Sequence, residues 1–200
     1  MSEQDAIFMA QALRLAERGR YTTDPNPHVG CVLVRDGEVI AEGWTQRAGF
    51  AHAEIDALQK VDDARGATAY VTLEPCSHLG RTGPCCDALI AAGIRRVVVA
   101  MQDPNPVVCG RGLQRLREAG VEVVCDVLHA EAEGLNRGFF KRMRHGLPWI
   151  RSKLAMSLDG RTALASGESQ WITSSLARQD VHRFRAERSE ERRVGKECTS

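Results

Sequence analysis

The stretch that decides both the fold and the chemistry of this chain runs from residue 51 to residue 86 and reads AHAEIDALQKVDDARGATAYVTLEPCSHLGRTGPCC. His52 and Glu54 stand at the start of a helix-like run, and Cys76 and Cys85 follow a strand-like apolar run. Residues two apart lie on nearly opposite flanks of a helix, so His52 and Glu54 can share one site only at the helix N-terminus. Pro84 is suited to a first helical position, which would put Cys85 in the first turn of the next helix.

These residue types predict a catalytic zinc site. One histidine and two cysteines are three protein ligands, and they leave the fourth tetrahedral position of a zinc ion open for water. The ion lowers the pKa of that water, and a carboxylate that does not bind the metal can move the protons. We therefore predict His52, Cys76 and Cys85 as metal ligands and Glu54 as the catalytic residue. A helix N-terminus also favours the thiolate form of Cys85.

The order His-x-Glu, Pro-Cys and a further Cys is the signature of zinc nucleobase deaminases. Here eight residues separate the two cysteines, and segment 75–85 reads PCSHLGRTGPC. This version resembles the pyrimidine deaminases of riboflavin biosynthesis, whose cluster reads Pro-Cys-Ser-His-x-Gly-Arg-Thr-x-Pro-Cys. The resemblance implies zinc-dependent deamination of a phosphoribosylated diaminopyrimidinone, in a bifunctional protein whose second domain is an NADPH-dependent reductase.

Substrate contacts are assigned by the same resemblance. Segment 25–30 reads PNPHVG and is similar to a family motif whose Asn contacts the ribosyl part of the substrate. On general grounds such Asn, Asp and Pro residues are turn formers. His28 occupies the variable position of that motif and is interpreted as an ordinary loop histidine. The resemblance implies substrate binding by Asn26, His78, Arg81, Asp103 and Asn105, where a cationic donor could meet a phosphate.

The apolar patterns predict an α/β fold. Helices are expected at 5–18, 50–61, 84–92, 110–119 and 130–144, and strands at 29–34, 38–44, 67–73, 95–100 and 121–125. Asp36-Gly37 predicts a hairpin between the first two strands, and the later alternation of strand and helix predicts parallel pairing. The resemblance implies a cytidine-deaminase-like, three-layer α/β/α fold with a mixed five-stranded sheet. The basic end of the last helix is interpreted as a solvated terminus.

A second domain is expected after the joint at 146–148. Residues 149–162 are predicted to form a strand and a turn, and residues 175–185 a helix. They resemble the opening of the dihydrofolate-reductase-like domain fused to riboflavin deaminases. The resemblance implies cofactor binding by Lys153, Ala155 and Trp171 and substrate binding by Ser169 and Arg185. Lys153 also matches a substrate-side position.

The predicted boundaries are 1–145 for the deaminase domain, 146–187 for an N-terminal fragment of the reductase domain, and 188–200 for a tail. That tail is polar and charged, without periodicity, and resembles translated adapter sequence. We expect a non-native tail on a reductase domain that is cut short.

The composition limits the classes of binding partner that the chain is expected to have. The net charge is +1, 5% of the residues are aromatic, and no apolar run has the length of a membrane span. These values argue against nucleic acid and membrane partners, and a homo-oligomer is left open. Seven cysteines are an odd number, and three lie at or beside the predicted zinc site. A reducing cytoplasm is therefore expected rather than a disulfide framework.

Two other functions stay open at this point. A nucleic-acid deaminase, such as a tRNA adenosine enzyme, or a free-nucleoside deaminase would share the metal chemistry, but the former should present a basic or aromatic face. A zinc-stabilised interaction module would need a fourth ligand, which Cys86 or His78 could supply. Glu54 would then have no role.

Overall fold

A five-stranded mixed sheet forms the centre of the computed structural model, which describes residues 2–78, 83–105 and 109–186. Its order is β2-β1-β3-β4-β5. β1 pairs antiparallel with β2 and β3, and β3–β4 and β4–β5 pair parallel. The strands are β1 (Gly30–Arg35), β2 (Glu38–Trp44), β3 (Thr68–Val71), β4 (Arg96–Val99) and β5 (Glu122–Val124). The predicted mixed sheet is confirmed.

The hairpin between β1 and β2 forms at the predicted turn. Arg35 pairs with Glu38, so Asp36 and Gly37 alone connect the strands. Both have positive φ, 52° and 82°. Two positive φ angles define the turn whose twist matches that of the flanking strands, and Asp-Gly accepts them at low cost.

Helices cover both faces of the sheet. The described helices are α1 (Glu3–Ala16), α2 (Ala53–Leu58), α3 (Cys85–Ala91), α4 (Arg111–Glu118), α5 (His129–Leu135), α6 (Arg137–His145) and α7 (Ser175–Ala186), with a short 3₁₀ turn at Glu17–Gly19. α1 contacts β1, β3 and β4, whereas α2 contacts β1 and β2. α2 also packs against α3, and α3 packs against α4. None of the described helices is long and apolar enough to cross a membrane.

Two glycines set the distance between helix and sheet. A Cβ on Gly30 would lie 1.9 Å from the Ala12 carbonyl oxygen of α1, and one on Gly43 would lie 2.2 Å from the Ala53 carbonyl oxygen of α2. Cys31, next to Gly30 in β1, pairs with Gly43. Since neighbouring residues of a strand point to opposite faces, Gly30 faces α1 and Gly43 faces α2. The two helices therefore lie on opposite sides of the sheet, as a three-layer fold requires.

α1 is anchored by a buried ion pair. Asp5 forms a capping box with Ser2, and its carboxylate accepts hydrogen bonds from Arg96 Nη1 at 2.7 Å and Nη2 at 3.2 Å. The Tyr70 hydroxyl donates to the same carboxylate at 3.2 Å. The hydrogen bonds from Arg96 hold the pKa of Asp5 well below its usual range. This cluster joins α1 to β3 and β4.

Several predicted elements differ from the observed ones. The helix expected at 50–61 is shorter, because the chain turns at Arg47–Phe50 and His52 caps α2. Pro84 caps α3 with ψ of 129° instead of forming its first residue. The helix expected at 130–144 is divided between α5 and α6. Asn136 interrupts it because its φ of −115° and ψ of 27° are not helical.

The chain divides into two compact units between Trp149 and Ile150. In the second unit the strand predicted within 149–162 is wrong, since the structure has only turns and irregular backbone there. A strand needs a neighbour to pair its backbone groups, and residues 150–186 hold α7 and no strand. The apolar side chains of this segment stay exposed, among them Ile150 at 78% and Leu154 at 72%. Residues 188–200 lie outside the described part of the chain.

Candidate active site

Three predicted ligand atoms converge where α2 and α3 begin. His52 Nδ1 lies 3.6 Å from Cys76 Sγ and 3.3 Å from Cys85 Sγ. The ligand atoms of His52, Cys76 and Cys85 all lie within 4.8 Å of one another. Such a spacing suits donors around one ion, since zinc binds thiolate sulfur at about 2.3 Å and imidazole nitrogen at about 2.0–2.1 Å. The residues therefore fit a zinc ion.

Local structure explains how the ligands meet. His52 is the N-cap of α2, with extended φ and ψ, so its side chain leaves the helix end rather than a flank. Cys85 is the first residue of α3, and its backbone N–H donates to Cys76 Sγ at 3.4 Å. Cys86 N donates to the Cys76 carbonyl at 3.2 Å, which ties the cysteine loop to the start of α3. Two helix N-termini thus face the cluster, and their free N–H groups favour thiolates.

The charges of the cluster are coupled. A hydrogen bond with Cys85 lowers the pKa of Cys76 to about 4, and the hydrogen bond with Cys76 raises the pKa of His52. The pKa of Cys85 is raised because it donates to Cys76, is buried and faces further negative charge. One thiolate therefore forms readily and the second needs a cation beside it. A bound divalent ion supplies that charge and deprotonates a coordinating thiol.

Glu54 is 4% exposed and lines the same cavity as His52 and Cys76. Burial raises the pKa of this carboxyl to about 7, and the negative charge of Cys76 adds to the effect. A carboxyl group with a pKa near neutrality can both accept and return a proton at physiological pH. A bound cation would oppose the rise, because it favours the charged carboxylate.

A cavity of about 420 Å³ opens beside the cluster, in the first unit of the chain. Its lining brings together residues that the sequence assigned to metal, catalysis and substrate: Asn26, His52, Glu54, Cys76, His78, Asp103 and Asn105. Asn26 and Asn105 are half-buried, and His78 is exposed at the edge. Arg81, a further predicted substrate contact, lies outside the described residues.

Asp103 closes one wall of this cavity. It is 7% exposed, and its carboxylate accepts a hydrogen bond from Asn105 N at 2.8 Å. Burial raises the pKa of Asp103 to about 6, and the negative charge of Glu74 contributes. The turn it forms holds the 103–105 loop over the cavity, at the carboxyl end of β4.

Glu74 is a structural residue to which the sequence analysis assigned no role. It is 4% exposed, and its carboxylate accepts four backbone hydrogen bonds. Asp103 N and Gly110 N donate to Oε2 at 3.2 and 2.9 Å, and Gly112 N and Leu113 N donate to Oε1 at 2.9 and 3.4 Å. Glu74 thus joins the cysteine loop, the 103–105 loop and the start of α4. The signal was present in the sequence: an acidic residue next to an apolar strand must find partners if it is buried.

Two other buried cysteines, Cys31 and Cys86, do not belong to the group of three possible metal ligands. Cys31 and Cys86 are fully buried in the hydrophobic core, as expected for small apolar side chains. The six cysteines of the described residues are all free of disulfides.

The predicted reductase residues lie on the second unit and show a different environment. Lys153, Ser169 and Arg185 are exposed, and Ala155 is half-buried. Trp171 is 69% exposed and carries the guanidinium of Arg178 at 4.2 Å from its ring centroid. No strand supports them within the described residues 150–186.

Two models of known protein families match the chain. The model of the cytidine and deoxycytidylate deaminase zinc-binding region matches residues 2–101, half of the chain. The chain belongs to this deaminase family. A second model, that of the RibD C-terminal domain, matches residues 148–190. The deaminase domain is thus followed by a segment similar to the start of a second known domain.

Individual relatives extend the likeness over both segments. The riboflavin biosynthesis protein RibD of Escherichia coli is 65% identical over 92% of this chain and 50% of its own length. The structure of Acinetobacter baumannii RibD is 56% identical with a TM-score of 0.88, covering 92% of this chain and 52% of that one. The structure of a diaminohydroxyphosphoribosylaminopyrimidine deaminase/5-amino-6-(5-phosphoribosylamino)uracil reductase from Thermotoga maritima is 42% identical with a TM-score of 0.86, covering 91% of this chain and 53% of that one. The chain spans about half the length of these relatives.

Proposed function

We propose that the chain is a zinc-dependent hydrolytic deaminase of diaminohydroxyphosphoribosylaminopyrimidine, the substrate in the name of the Thermotoga maritima relative. The reaction exchanges an exocyclic amine of the pyrimidine ring for the oxygen of water and yields 5-amino-6-(5-phosphoribosylamino)uracil and ammonia. The observation that carries the proposal is the convergence of three zinc-binding side chains, two of which line the same cavity as the buried Glu54.

The zinc ion would be held by His52, Cys76 and Cys85. As a Lewis acid, it would lower the pKa of a bound water molecule to near neutrality. Glu54 takes the proton from the attacking water and delivers it to the ring nitrogen. The same carboxyl then takes the proton of the new hydroxyl group on the ring carbon and gives it to the amine. The carbon–nitrogen bond breaks, ammonia leaves and the carbonyl forms. Its burial keeps the proton within the cavity, and its pKa near 7 suits transfer in both directions.

The remaining cavity residues are proposed to bind the substrate. Asn26 and Asn105 offer both donors and acceptors, which suits the ribosyl hydroxyls and the polar edge of a pyrimidine. His78 and Arg81 are proposed to meet the phosphate, because cationic donors form strong hydrogen bonds to it. Asp103 holds the loop that presents Asn105. A cytoplasmic location is proposed from the sequence, whose odd number of cysteines and predicted metal ligands favour a reducing compartment.

Reduction of the ribosyl group is proposed to be absent from this chain. An open α/β sheet binds its ligand across several strand ends. The predicted cofactor residues Lys153, Ala155 and Trp171 lie in the described residues 150–186, which hold no strand that could position them.

The proposal is tested with zinc-loaded protein and the pathway pyrimidine, following ammonia release. Glu54→Gln should retain zinc and lower turnover by roughly 10²–10⁴-fold, the usual contribution of general acid–base catalysis. Glu38→Gln on the exposed end of β2 is the matched control and should turn over normally. Near-normal turnover of Glu54→Gln would contradict the role of Glu54, and activity on tRNA but not on the mononucleotide would favour the nucleic-acid alternative.

A further inference from the structure

A wall of the cavity comes from a helix that lies beyond the residues matched by the deaminase family. Phe139 of α6 lines the cavity together with Asn26 and Phe50, whereas the match to the deaminase zinc-binding region ends at residue 101. Phe50 is 67% exposed, whereas Phe139 is half-buried. α6 therefore supplies the better-fixed aromatic surface of the cavity.

One buried amide fastens α6 to the loop that carries Asn26. Asn136, just before α6, is 4% exposed. Its Oδ1 accepts a hydrogen bond from His28 N, and its Nδ2 donates to the His28 carbonyl, each at 2.8 Å. Both polar ends of one side chain thus bind the two backbone groups of one residue. Such a paired contact fixes orientation as well as distance.

A second contact holds the same loop from the other end of α6. Arg142 Nη2 donates to the Pro25 carbonyl at 2.8 Å. The basic end of this helix is therefore not simply solvated, contrary to the interpretation of its sequence. Residues 25 and 28 are both bound to the helix region, and Asn26 lies between them.

Phe139 lies between these two contacts along the helix. Its ring packs edge-on against Phe140 with centroids 5.6 Å apart, and the Arg142 guanidinium lies 5.8 Å from its centroid. Phe140 is 2% exposed and belongs to the hydrophobic core. The ring of Phe139 is thus held from two sides before any substrate enters, which lowers the entropic cost of binding against it.

We propose that Phe139 is a specificity-determining residue, against which the ribosylamino side of the substrate packs, and that Asn136 is the positioning residue that places it. The inference rests on the proposed function. Phe139 supplies apolar area beside Asn26, the residue proposed to bind the ribosyl group. Its side chain has no group that could bind zinc or transfer a proton, so it should contribute to binding and not to the proton transfers of Glu54.

Steady-state kinetics on the pathway pyrimidine test this assignment. Loss of a buried aromatic contact of about 1.5 kcal/mol corresponds to roughly a tenfold weaker affinity. Phe139→Ala should therefore raise KM about tenfold with kcat changed less than about threefold, the pattern of lost uniform binding. Phe139→Leu should recover most of the affinity. The zinc content of each variant should equal that of the unmodified chain.

The role of Asn136 is tested by a double-mutant cycle. If Asn136 acts through Phe139, Asn136→Ala should raise KM to an extent similar to that of Phe139→Ala. The KM of the double variant should then be at most about twofold higher than that of Phe139→Ala. Asn136→Asp keeps the acceptor for His28 N and loses the donor to the His28 carbonyl. Its KM should therefore lie between that of the unmodified chain and that of Asn136→Ala. Amide hydrogen exchange at residues 26 and 28 should quicken in Asn136→Ala. Arg137→Ala, an exposed change on the same helix, should alter neither quantity.

The outcomes separate this inference from the proposed function. A KM of Phe139→Ala within about twofold of the unmodified value, or independent multiplication of the two effects, would overturn it. If the unmodified chain binds the pyrimidine without turnover, the proposed reaction fails and dissociation constants replace KM in the cycle. If it shows neither turnover nor binding, both ideas are wrong.

Discussion

Replacing Glu74 by glutamine should destabilise the fold around the active site. Each carboxylate oxygen accepts two backbone hydrogen bonds, four in all. Glutamine keeps one acceptor oxygen and turns an NH₂ group toward the other two N–H donors. Two bonds are then lost and two buried donors are left without a partner.

The size of the effect follows from those two donors. A buried donor left unsatisfied costs about 1–3 kcal/mol, so Glu74→Gln should lower the free energy of unfolding by about 2–6 kcal/mol. Gly112 leaves no room for relief by helix movement, since a Cβ there would already lie 2.0 Å from the Pro75 carbonyl oxygen. The lost bonds also free the segment that leads to Cys76, so the variant should hold less zinc.

Urea unfolding followed by circular dichroism measures the first effect, and metal analysis after gel filtration measures the second. Glu38→Gln serves as the control, because an exposed substitution changes stability by about 0.5 kcal/mol or less. A Glu74→Gln variant within 1 kcal/mol of the control, with full zinc content, would refute the reasoning.

Three further outcomes are expected. Because Arg96 holds the pKa of Asp5 below its unfolded value, the ion pair stabilises the fold above about pH 4, and this stabilisation is lost on acidification. Asp5→Asn should therefore flatten the dependence of urea unfolding on pH below about pH 4. The exposed substitution Asp62→Asn should leave that dependence unchanged. Cys85→Ser should lose zinc on dialysis while the exposed Cys109→Ser retains it, and equal retention would contradict the ligand assignment. A titration followed by NADPH fluorescence should show no saturable binding to the chain. Micromolar binding with turnover would disprove the argument that the predicted cofactor residues need neighbouring strands to position them.

The sequence predicted the sheet well because local and global signals agree there. Val97 to Val99 form an apolar run that fits a strand covered on both faces, and Asp36-Gly37 accepts the turn that joins β1 to β2. The cluster of His52, Cys76 and Cys85 could be expected from residue type and spacing alone. Its convergence depends on two helix starts. The start of α3 was predicted to within one residue, whereas α2 begins at Ala53 and not at residue 50.

The sequence predicted less where a residue depends on a distant partner. Asn136 divides the expected helix because its side chain bonds residue 28, and no local pattern reports a contact across 108 positions. Phe139 has the same limitation, since an aromatic residue on a helix is most often part of a core. The strand expected after Trp149 illustrates the opposite case: its pattern is correct for a sheet, but the described chain offers no neighbouring strand.

The close approach at Gly43 has a consequence for how the ligand His52 is placed. Ala53, the next residue, would collide with any side chain at position 43, so the first turn of α2 rests directly on the backbone of β2. The height of the imidazole above the sheet is therefore set by the radii of main-chain atoms and not by the rotamer of a neighbouring side chain. The core can therefore repack around substitutions elsewhere without moving the imidazole of His52 relative to the sheet. The metal cluster should accordingly tolerate variation in the surrounding apolar residues far better than it tolerates a single added methyl group at position 43.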